Sequence, residues 1–136
     1  YYSFTGNTLR MVKAFEKGLQ DANVPFKSYS VVELKDDNEA FDCEILALAS
    51  PANQTEEIEK NYFQSFMKRN AEKFKDRKIY LFGTFGWGSG KFMSNWIKQV
   101  EELGAKIVEL PMACKGSPNS ETKEKLANIA KKIATM

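Results

Sequence analysis

Histidine is absent from this sequence of 136 residues, and cysteine occurs only twice. Without an imidazole the chain has no Ser-His-Asp triad, no Cys-His dyad and no His-ligated metal site. Cys43 and Cys114 form neither a CxxC pair nor a disulfide framework, which is typical of a protein from a reducing compartment. We therefore expect a cytoplasmic protein that takes any chemistry it performs from a cofactor.

A long apolar run is also missing, and neither sign of charge dominates. No stretch approaches the roughly 20 apolar residues that cross a bilayer, and no segment has the pattern of a secretory signal. The 20 basic and 18 acidic residues give a net charge of +2 and are spread along the chain. This pattern predicts neither a nucleic-acid partner nor a membrane partner.

The residues that are present have the composition of an ordinary globular domain. Hydrophobic residues make up 43% and charged residues 28% of the chain, and a chain of this length builds one core. We expect a single domain over residues 1–136, so one fold unit carries the function.

Apolar residues recur at every third or fourth position in four segments, which predicts amphipathic helices over residues 11–22, 63–74, 92–103 and 126–133. Four short apolar runs predict strands: Ser28–Val32, Ile45–Ala49, Ile79–Phe82 and Ile107–Leu110. The alternation of strand and helix predicts a doubly wound α/β fold with a parallel sheet. Only two tyrosines precede the first loop, so most of a first strand is expected to be missing from the given sequence.

Three loops next to the predicted strands and helices carry polar and aromatic groups. The first loop holds Ser3, Phe4, Thr5, Gly6, Asn7 and Thr8. Hydroxyls and a glycine backbone before a helix suit a phosphate group, and the loop has no lysine or arginine, so neutral donors would bind it. The alternative is that these residues only cap the helix.

The second loop holds Ser50, Pro51, Ala52, Asn53, Gln54, Thr55, Glu56 and Glu57. Its amides and carboxylates can hydrogen-bond the edge of a heterocycle, and Glu56 can accept a hydrogen bond from a ring imide. The alternative is that Glu56, Glu57 and Glu59 are acids favoured by the dipole of a helix start.

The third loop, Gly83–Lys91, is rich in glycine but fits neither common nucleotide motif. A Walker P-loop would need a hydroxyl at Phe92, and a dinucleotide fingerprint would need a glycine at Lys91. Phe85 and Trp87 are suited to stacking on a flat ring, unless Trp87 only fills a gap in the core. The candidate ligand residues are Thr84, Phe85, Gly86, Trp87 and Gly88. Ligands of open α/β sheets bind at the carboxyl ends of strands, where we expect the three loops to meet.

Ser3-x-Thr5-Gly6-Asn7-Thr8 resembles the phosphate loop of flavodoxins, and residues 86–91, Gly-Trp-Gly-Ser-Gly-Lys, resemble the second flavin loop of their short-chain bacterial form. The likeness extends over essentially the whole chain. It implies a three-layer flavodoxin-like fold in strand order 2-1-3-4-5, a topology taken over from the family, with one FMN at the switch point. By this resemblance Trp87 stacks on the isoalloxazine and Glu56 bonds its imide edge. The residues that would hold the phosphate are Ser3, Thr5, Asn7 and Thr8.

The resemblance implies a monomeric, low-potential carrier of single electrons, working between a flavodoxin or ferredoxin reductase-type donor and an acceptor enzyme. Two other functions stay open at this point. An FMN-dependent reductase of quinones or other small molecules would oxidise NADPH steadily on its own. A flavin-free domain that acts through protein contacts would stay colourless with added FMN.

Three features depart from the family pattern. Gln54 occupies a position where short-chain members usually have a glycine whose peptide flips toward the flavin N5 upon reduction, and a non-glycine residue there would be strained at positive φ. We therefore expect the one-electron-reduced flavin to be less stabilised. Asn53 replaces a methionine or aromatic residue over the other ring face. The net charge of +2 contrasts with the acidic character of the family, which weakens the steering of a partner.

Overall fold

The middle of the sheet consists of two apolar segments that pair in parallel. In the computed structural model, which describes residues 1–136, β1 covers Ile45–Pro51 and β2 covers Lys78–Phe85. Their register runs from Ile45 beside Lys78 to Pro51 beside Thr84. Both strands contain the apolar runs from which they are predicted, and most of these residues are buried between helices.

Two short strands extend the sheet on the other side of β2. β3 (Lys106–Ile107) pairs with the start of β2, and β4 (Met112–Lys115) pairs with its end, both in parallel. The prediction of one strand over Ile107–Leu110 is therefore wrong. Between β3 and β4 the chain separates from the neighbouring strand β2. In this segment Leu110 is 79% exposed, and Pro111 has no N–H to donate.

The first two residues lie beside β1, on the edge that faces away from β2. Tyr2 N donates to Ala49 O at 3.0 Å, and Val31 N donates to Tyr1 O at 2.8 Å. The order across the sheet is therefore residues 29–31, the two tyrosines, β1, β2 and then β3 with β4. This is the expected order 2-1-3-4-5.

The segment Ser28–Val32 does not form the predicted strand. It hydrogen-bonds to Tyr1 alone at this edge, and the chain turns at once, because Leu34 N donates back to Ser30 O at 3.0 Å. An apolar cavity of about 510 Å³ lies between residues 24–31 and β1.

Helices cover both faces of the sheet. Their bounds are α1 Asn7–Asp21, α2 Asn38–Phe41, α3 Ser65–Arg69, α4 Lys91–Glu102 and α5 Ser120–Ala134. α1 and α5 pack against Tyr80 and Phe82, whereas α3 and α4 pack against Ile79 and Leu81 on the other face. Successive strand residues point to opposite faces, so the sheet is the middle of three layers, as predicted. None of the helices has both the length and the apolar character to cross a membrane.

The second predicted helix, over residues 63–74, is divided into turns of different pitch. A π-helical turn covers Lys60–Gln64, α3 follows, and a 3₁₀ turn covers Ala71–Phe74. The break coincides with Asn70, which leaves the helical region at φ −111° and ψ 15°. Its buried amide donates to Phe66 O at 2.9 Å, and this bond stabilises the interruption.

Candidate functional site

Thr84, close to the end of β2, joins the ends of several loops. Its buried hydroxyl lies 2.8 Å from the hydroxyl of Thr8 at the start of α1, and its carbonyl accepts from Ala52 N at 2.8 Å. The neighbouring Phe85 O accepts from Gly116 N at 2.9 Å. The three predicted loops therefore meet at one edge of the sheet. The loop after β4 joins them there, a contact that the sequence did not indicate.

The first loop turns into α1 at Gly6, whose backbone is left-handed with φ 96°. The first helical amides, those of Asn7 and Thr8, have no hydrogen-bond acceptor in the protein. They lie at the positive end of the helix dipole. The start of α1 therefore offers free N–H donors to an anion.

The hydroxyls of the first loop are only partly used within the protein. Ser3 Oγ accepts from Leu9 N at 3.1 Å, so the capping alternative holds for Ser3, although its hydroxyl hydrogen stays free to donate. Thr8 is bonded to Thr84. Thr5 is exposed, and Phe4 is 83% exposed, so both side chains of this loop are accessible to a ligand.

Arg10 brings a cation to the first loop. Its Nη1 donates to Asn7 Oδ1 at 2.9 Å and lies 3.4 Å from the position of a Cβ added to Gly6. The donors within residues 3–8 are neutral, and Arg10 adds a positive charge beside them from the first turn of α1. Residues three apart on a helix are neighbours, and this spacing is the signal in the sequence that identifies Arg10.

The second loop forms a tight hairpin. Ala52 and Ile58 form an antiparallel bridge at its base, and Ile58 is buried in the core. At the tip, Asn53 Oδ1 accepts from Thr55 N at 2.8 Å, from Thr55 Oγ1 at 2.7 Å and from Glu57 N at 3.2 Å. Asn53 therefore fixes the shape of the tip through local bonds.

Ser50 and Pro51 belong to the base of this hairpin. The fully buried Ser50 Oγ donates to Pro51 O at 2.9 Å and accepts from Glu59 N at 3.1 Å. The Ser50 hydroxyl is thus used within the protein, whereas Gln54 at the tip is exposed.

Glu56 is the one residue of the hairpin with a left-handed backbone, at φ 57°. Gln54 has no positive φ, so the residue of this tip with a left-handed backbone is Glu56, two positions further on. The expected effect of Gln54 on the one-electron-reduced flavin stays a prediction. The half-buried Glu56 side chain extends over the third loop, where its Oε1 lies 2.5 Å from the position of a Cβ added to Gly88. Glu59 instead accepts from three amides of the following helical turn, each at 2.7 Å. The helix-start alternative therefore holds for Glu59 and fails for Glu56.

Trp87 extends from the third loop with 61% of its surface exposed, so the alternative that it fills a core gap is wrong. Phe85 points toward the protein, with its ring centroid 6.1 Å from that of Phe92. Gly86 has open space around it, and Gly88 leaves room for the Glu56 carboxylate. Trp87, and not Phe85, is therefore the aromatic ring of this loop that is free to stack.

The edge as a whole fits a ligand with an anion at one end and a flat ring carrying an N–H donor at the other. The free amides of α1 and the Arg10 guanidinium suit the anion. The exposed Trp87 ring and the Glu56 carboxylate suit the flat ring. FMN has both ends, a phosphate and an isoalloxazine with an imide N–H.

Comparison with protein families gives a match to the flavodoxin model over residues 1–129. The chain belongs to the flavodoxin family. The flavodoxin of Clostridium beijerinckii is 30% identical over 136 residues, which cover 100% of this chain and 97% of that relative. The flavodoxin of Megasphaera elsdenii is 30% identical over 132 residues, which cover 97% of this chain and 96% of that relative.

Solved flavodoxin structures have the same fold. The solution structure of the two-electron reduced Megasphaera elsdenii flavodoxin gives a TM-score of 0.84 at 28% identity, covering 97% of this chain and 96% of that one. An archaeal flavodoxin gives a TM-score of 0.87 at 20% identity, covering 99% and 93%, and this likeness shows the fold alone. As a flavodoxin family member, the chain is an FMN-binding electron carrier. Flavodoxins are electron-transfer proteins rather than classical enzymes.

Proposed function

We propose that the three loops hold FMN non-covalently, and that residues 1–136 act as one FMN-binding domain that carries single electrons. The observation that supports this assignment most is the Glu56 carboxylate over Gly88, on the same edge as the exposed Trp87 and the free amides of α1. FMN supplies the electron-transfer chemistry, and the protein supplies binding, orientation and electrostatics.

The phosphate end of the proposed site is the start of α1. The amides of Asn7 and Thr8 donate to the phosphate, and the hydroxyls of Ser3 and Thr5 add neutral donors. Arg10 adds a full positive charge beside them. A site formed by a guanidinium and a helix N-terminus binds a phosphate in strong preference to a neutral group.

The ring end of the proposed site is formed by the second and third loops. Trp87 stacks on the ring, and the Glu56 carboxylate accepts from the imide N–H. The negative charge of Glu56 also makes added negative charge on a nearby ring costly. This repulsion supports the assignment of a low reduction potential.

The two ends can be tested separately by comparing FMN with riboflavin, which lacks the phosphate. We expect Arg10→Gln and Thr5→Ala to weaken FMN binding and to leave riboflavin binding unchanged. Glu56→Gln should weaken the binding of both flavins by the same factor. Lys98→Gln is the matched control for charge, since Lys98 is exposed on α4, and it should change neither affinity.

Two results would contradict this assignment of residues. One is a loss of riboflavin affinity in Arg10→Gln equal to its loss of FMN affinity, because the guanidinium would then not act on the phosphate. The other is a parent protein that binds neither flavin. Both are measured by titration of flavin fluorescence.

We further propose that the protein exchanges electrons with other redox proteins, a flavodoxin or ferredoxin reductase-type donor and an acceptor enzyme, as a monomer in the cytoplasm. The free thiols of Cys43 and Cys114 support a reducing compartment. The exposed ring of Phe4 supports direct contact with a partner beside the flavin edge. The FMN-loaded protein alone should not oxidise NADPH steadily; steady oxidation would support a reductase activity instead.

A further inference from the structure

A single hydrogen bond joins the tip of the second loop, residues 53–57, to the rest of the protein. It runs from Asn95 Nδ2 in α4 to Glu56 O, at 3.0 Å. The other hydrogen bonds of these residues stay within the tip, including Asn53 N to Glu57 O at 2.7 Å and Glu56 N to Asn53 O at 3.3 Å. Asn53 therefore shapes the tip, and Asn95 supplies the one hydrogen bond that restrains the tip from outside, beyond the Ala52–Ile58 bridge at its base.

We propose that Asn95 is a positioning residue of the flavin site, which holds Glu56 in its left-handed conformation and keeps the carboxylate over Gly88. A left-handed backbone is unfavourable for a residue with a Cβ, and Glu56 has φ 57°. Without a donor on its carbonyl, Glu56 has one restraint fewer against rotating toward an ordinary conformation. This inference rests on the proposed role of Glu56 at the ring edge.

The part of α4 that carries Asn95 is packed firmly against the core. The adjacent Trp96 is 1% exposed, and Phe92 one turn earlier is also 1% exposed, so the core fixes this part of α4. Asn95 itself is exposed and lies outside the loops that resemble flavin-binding motifs. Its amide therefore connects a firmly packed helix to an otherwise locally bonded loop.

The first test compares flavin affinities of Asn95→Ala and Asn95→Asp with those of Ser94→Ala. Asp keeps the shape of Asn95 but turns the donor into an acceptor, and Ser94 is the exposed neighbour on the same helix. We expect both Asn95 variants to bind FMN roughly three- to tenfold more weakly, the usual effect of one lost hydrogen bond. Riboflavin affinity should fall by the same factor, because the phosphate end is unchanged.

The second test asks whether Asn95 acts through Glu56. In a Glu56→Ala background, Asn95→Ala should have little further effect on FMN affinity, since no carboxylate is left to position. Asn95→Ala alone should also make the reduction potential of the bound flavin less negative, in the same direction as Glu56→Ala. A purely structural role of Asn95 would not move the potential in this way.

Three outcomes separate the possibilities. If Asn95→Ala binds FMN as tightly as Ser94→Ala, the inference is wrong. If its effect is equally large with and without the Glu56 carboxylate, Asn95 does not act through Glu56 and the inference is again wrong. If the parent protein fails to bind FMN, the proposed function fails, and this inference fails with it. Urea unfolding of each variant without flavin checks that the fold is retained.

Discussion

At the scale of single residues, the proposed site depends on Gly88 having no side chain. A Cβ at this position would come 2.5 Å from Glu56 Oε1, on a backbone with φ 83°. We expect Gly88→Ala to displace the carboxylate and to weaken FMN binding by about tenfold, the effect of losing a hydrogen bond to a charged group. Gly116→Ala is the matched control, because Gly116 also has a positive φ, of 71°, and nothing lies within 4 Å of its Cβ position. Equal affinities of the two variants in a fluorescence titration would contradict the role of this contact.

Tyr80 is a core residue whose polar atom has no partner. Its hydroxyl is buried without a hydrogen bond, and burial raises the pKa of Tyr80. Because an unsatisfied hydroxyl is unfavourable in a core, Tyr80→Phe should leave the free energy of unfolding unchanged or raise it by up to about 1 kcal/mol. Urea denaturation measures this, with the exposed Tyr62→Phe as control. A clear loss of stability would mean that the Tyr80 hydroxyl has a partner.

The sequence identified the residue types of the site better than their individual placement. The exposed position of Trp87 and the inward position of Phe85 differ because Phe85 finds Gly90 and Phe92 beside it, and no local pattern reveals such a contact. The carboxylate of Glu56 over Gly88 likewise depends on two loops that are distant in the sequence. Arg10 was open to prediction, since it follows Asn7 by three residues on a helix.

At the scale of elements, α1 and α5 approach each other closely at Gly18. A Cβ on Gly18 would lie 2.2 Å from Ala127 O and 2.8 Å from Ala130 Cβ. We expect Gly18→Ala to separate the two helices and to lower the free energy of unfolding by about 1–3 kcal/mol, the usual range for overpacking. Thermal or urea unfolding measures this. The exposed Gln20→Ala on the same helix is the control, and equal stability of the two variants would show that the helices can move apart freely.

Asp37, just before α2, is bonded to the end of α3. Its carboxylate accepts from Arg69 and from Asn70 Nδ2, and the Arg69 bond, more than any other cause, holds the pKa of Asp37 below its usual value. A carboxyl with a lowered pKa in the folded protein contributes stability above its ordinary pKa, and this is lost as the pH falls through the lowered pKa. The stability difference between the parent and Asp37→Asn should therefore be constant above about pH 5 and shrink below about pH 4.

Urea denaturation between neutral and acidic pH measures this difference. Asp42→Asn is the control, because Asp42 is exposed and makes none of these bonds. A difference between the parent and Asp37→Asn that stays constant down to acidic pH would contradict the account.

Elements were predictable where both sides of a segment are buried. Ile45–Ala49 and Ile79–Phe82 have apolar residues on both faces, and both lie inside strands. The prediction failed at Ile107–Leu110, where Val108 N still donates to Ile79 O at 3.0 Å but Leu110 N donates to the Glu109 side chain. A short, mostly apolar segment has the same sequence pattern whether or not a neighbouring strand accepts its hydrogen bonds.

At the scale of the whole molecule, the alternation of elements predicted the α/β class and the shared edge of the three loops. The order of the strands is not contained in any periodicity, and it came from the resemblance to flavodoxins. The net charge of +2 gives little overall field, so attraction to a redox partner has to come from local charges such as Arg10 and Glu57. Both lie at the edge where the proposed FMN site is.

The central claim is that this chain binds FMN and carries single electrons. The most direct test is to titrate the intact protein with FMN and then to reduce it anaerobically with dithionite while recording visible absorption spectra. We predict one bound FMN per chain and reduction in two separate one-electron steps, because the negative charge of Glu56 makes the negatively charged, fully reduced ring costlier than the form that has gained one electron. The residue Gln54 is expected to narrow the difference between the two steps without removing it. A protein that is folded by circular dichroism but binds no FMN at excess flavin would contradict the claim.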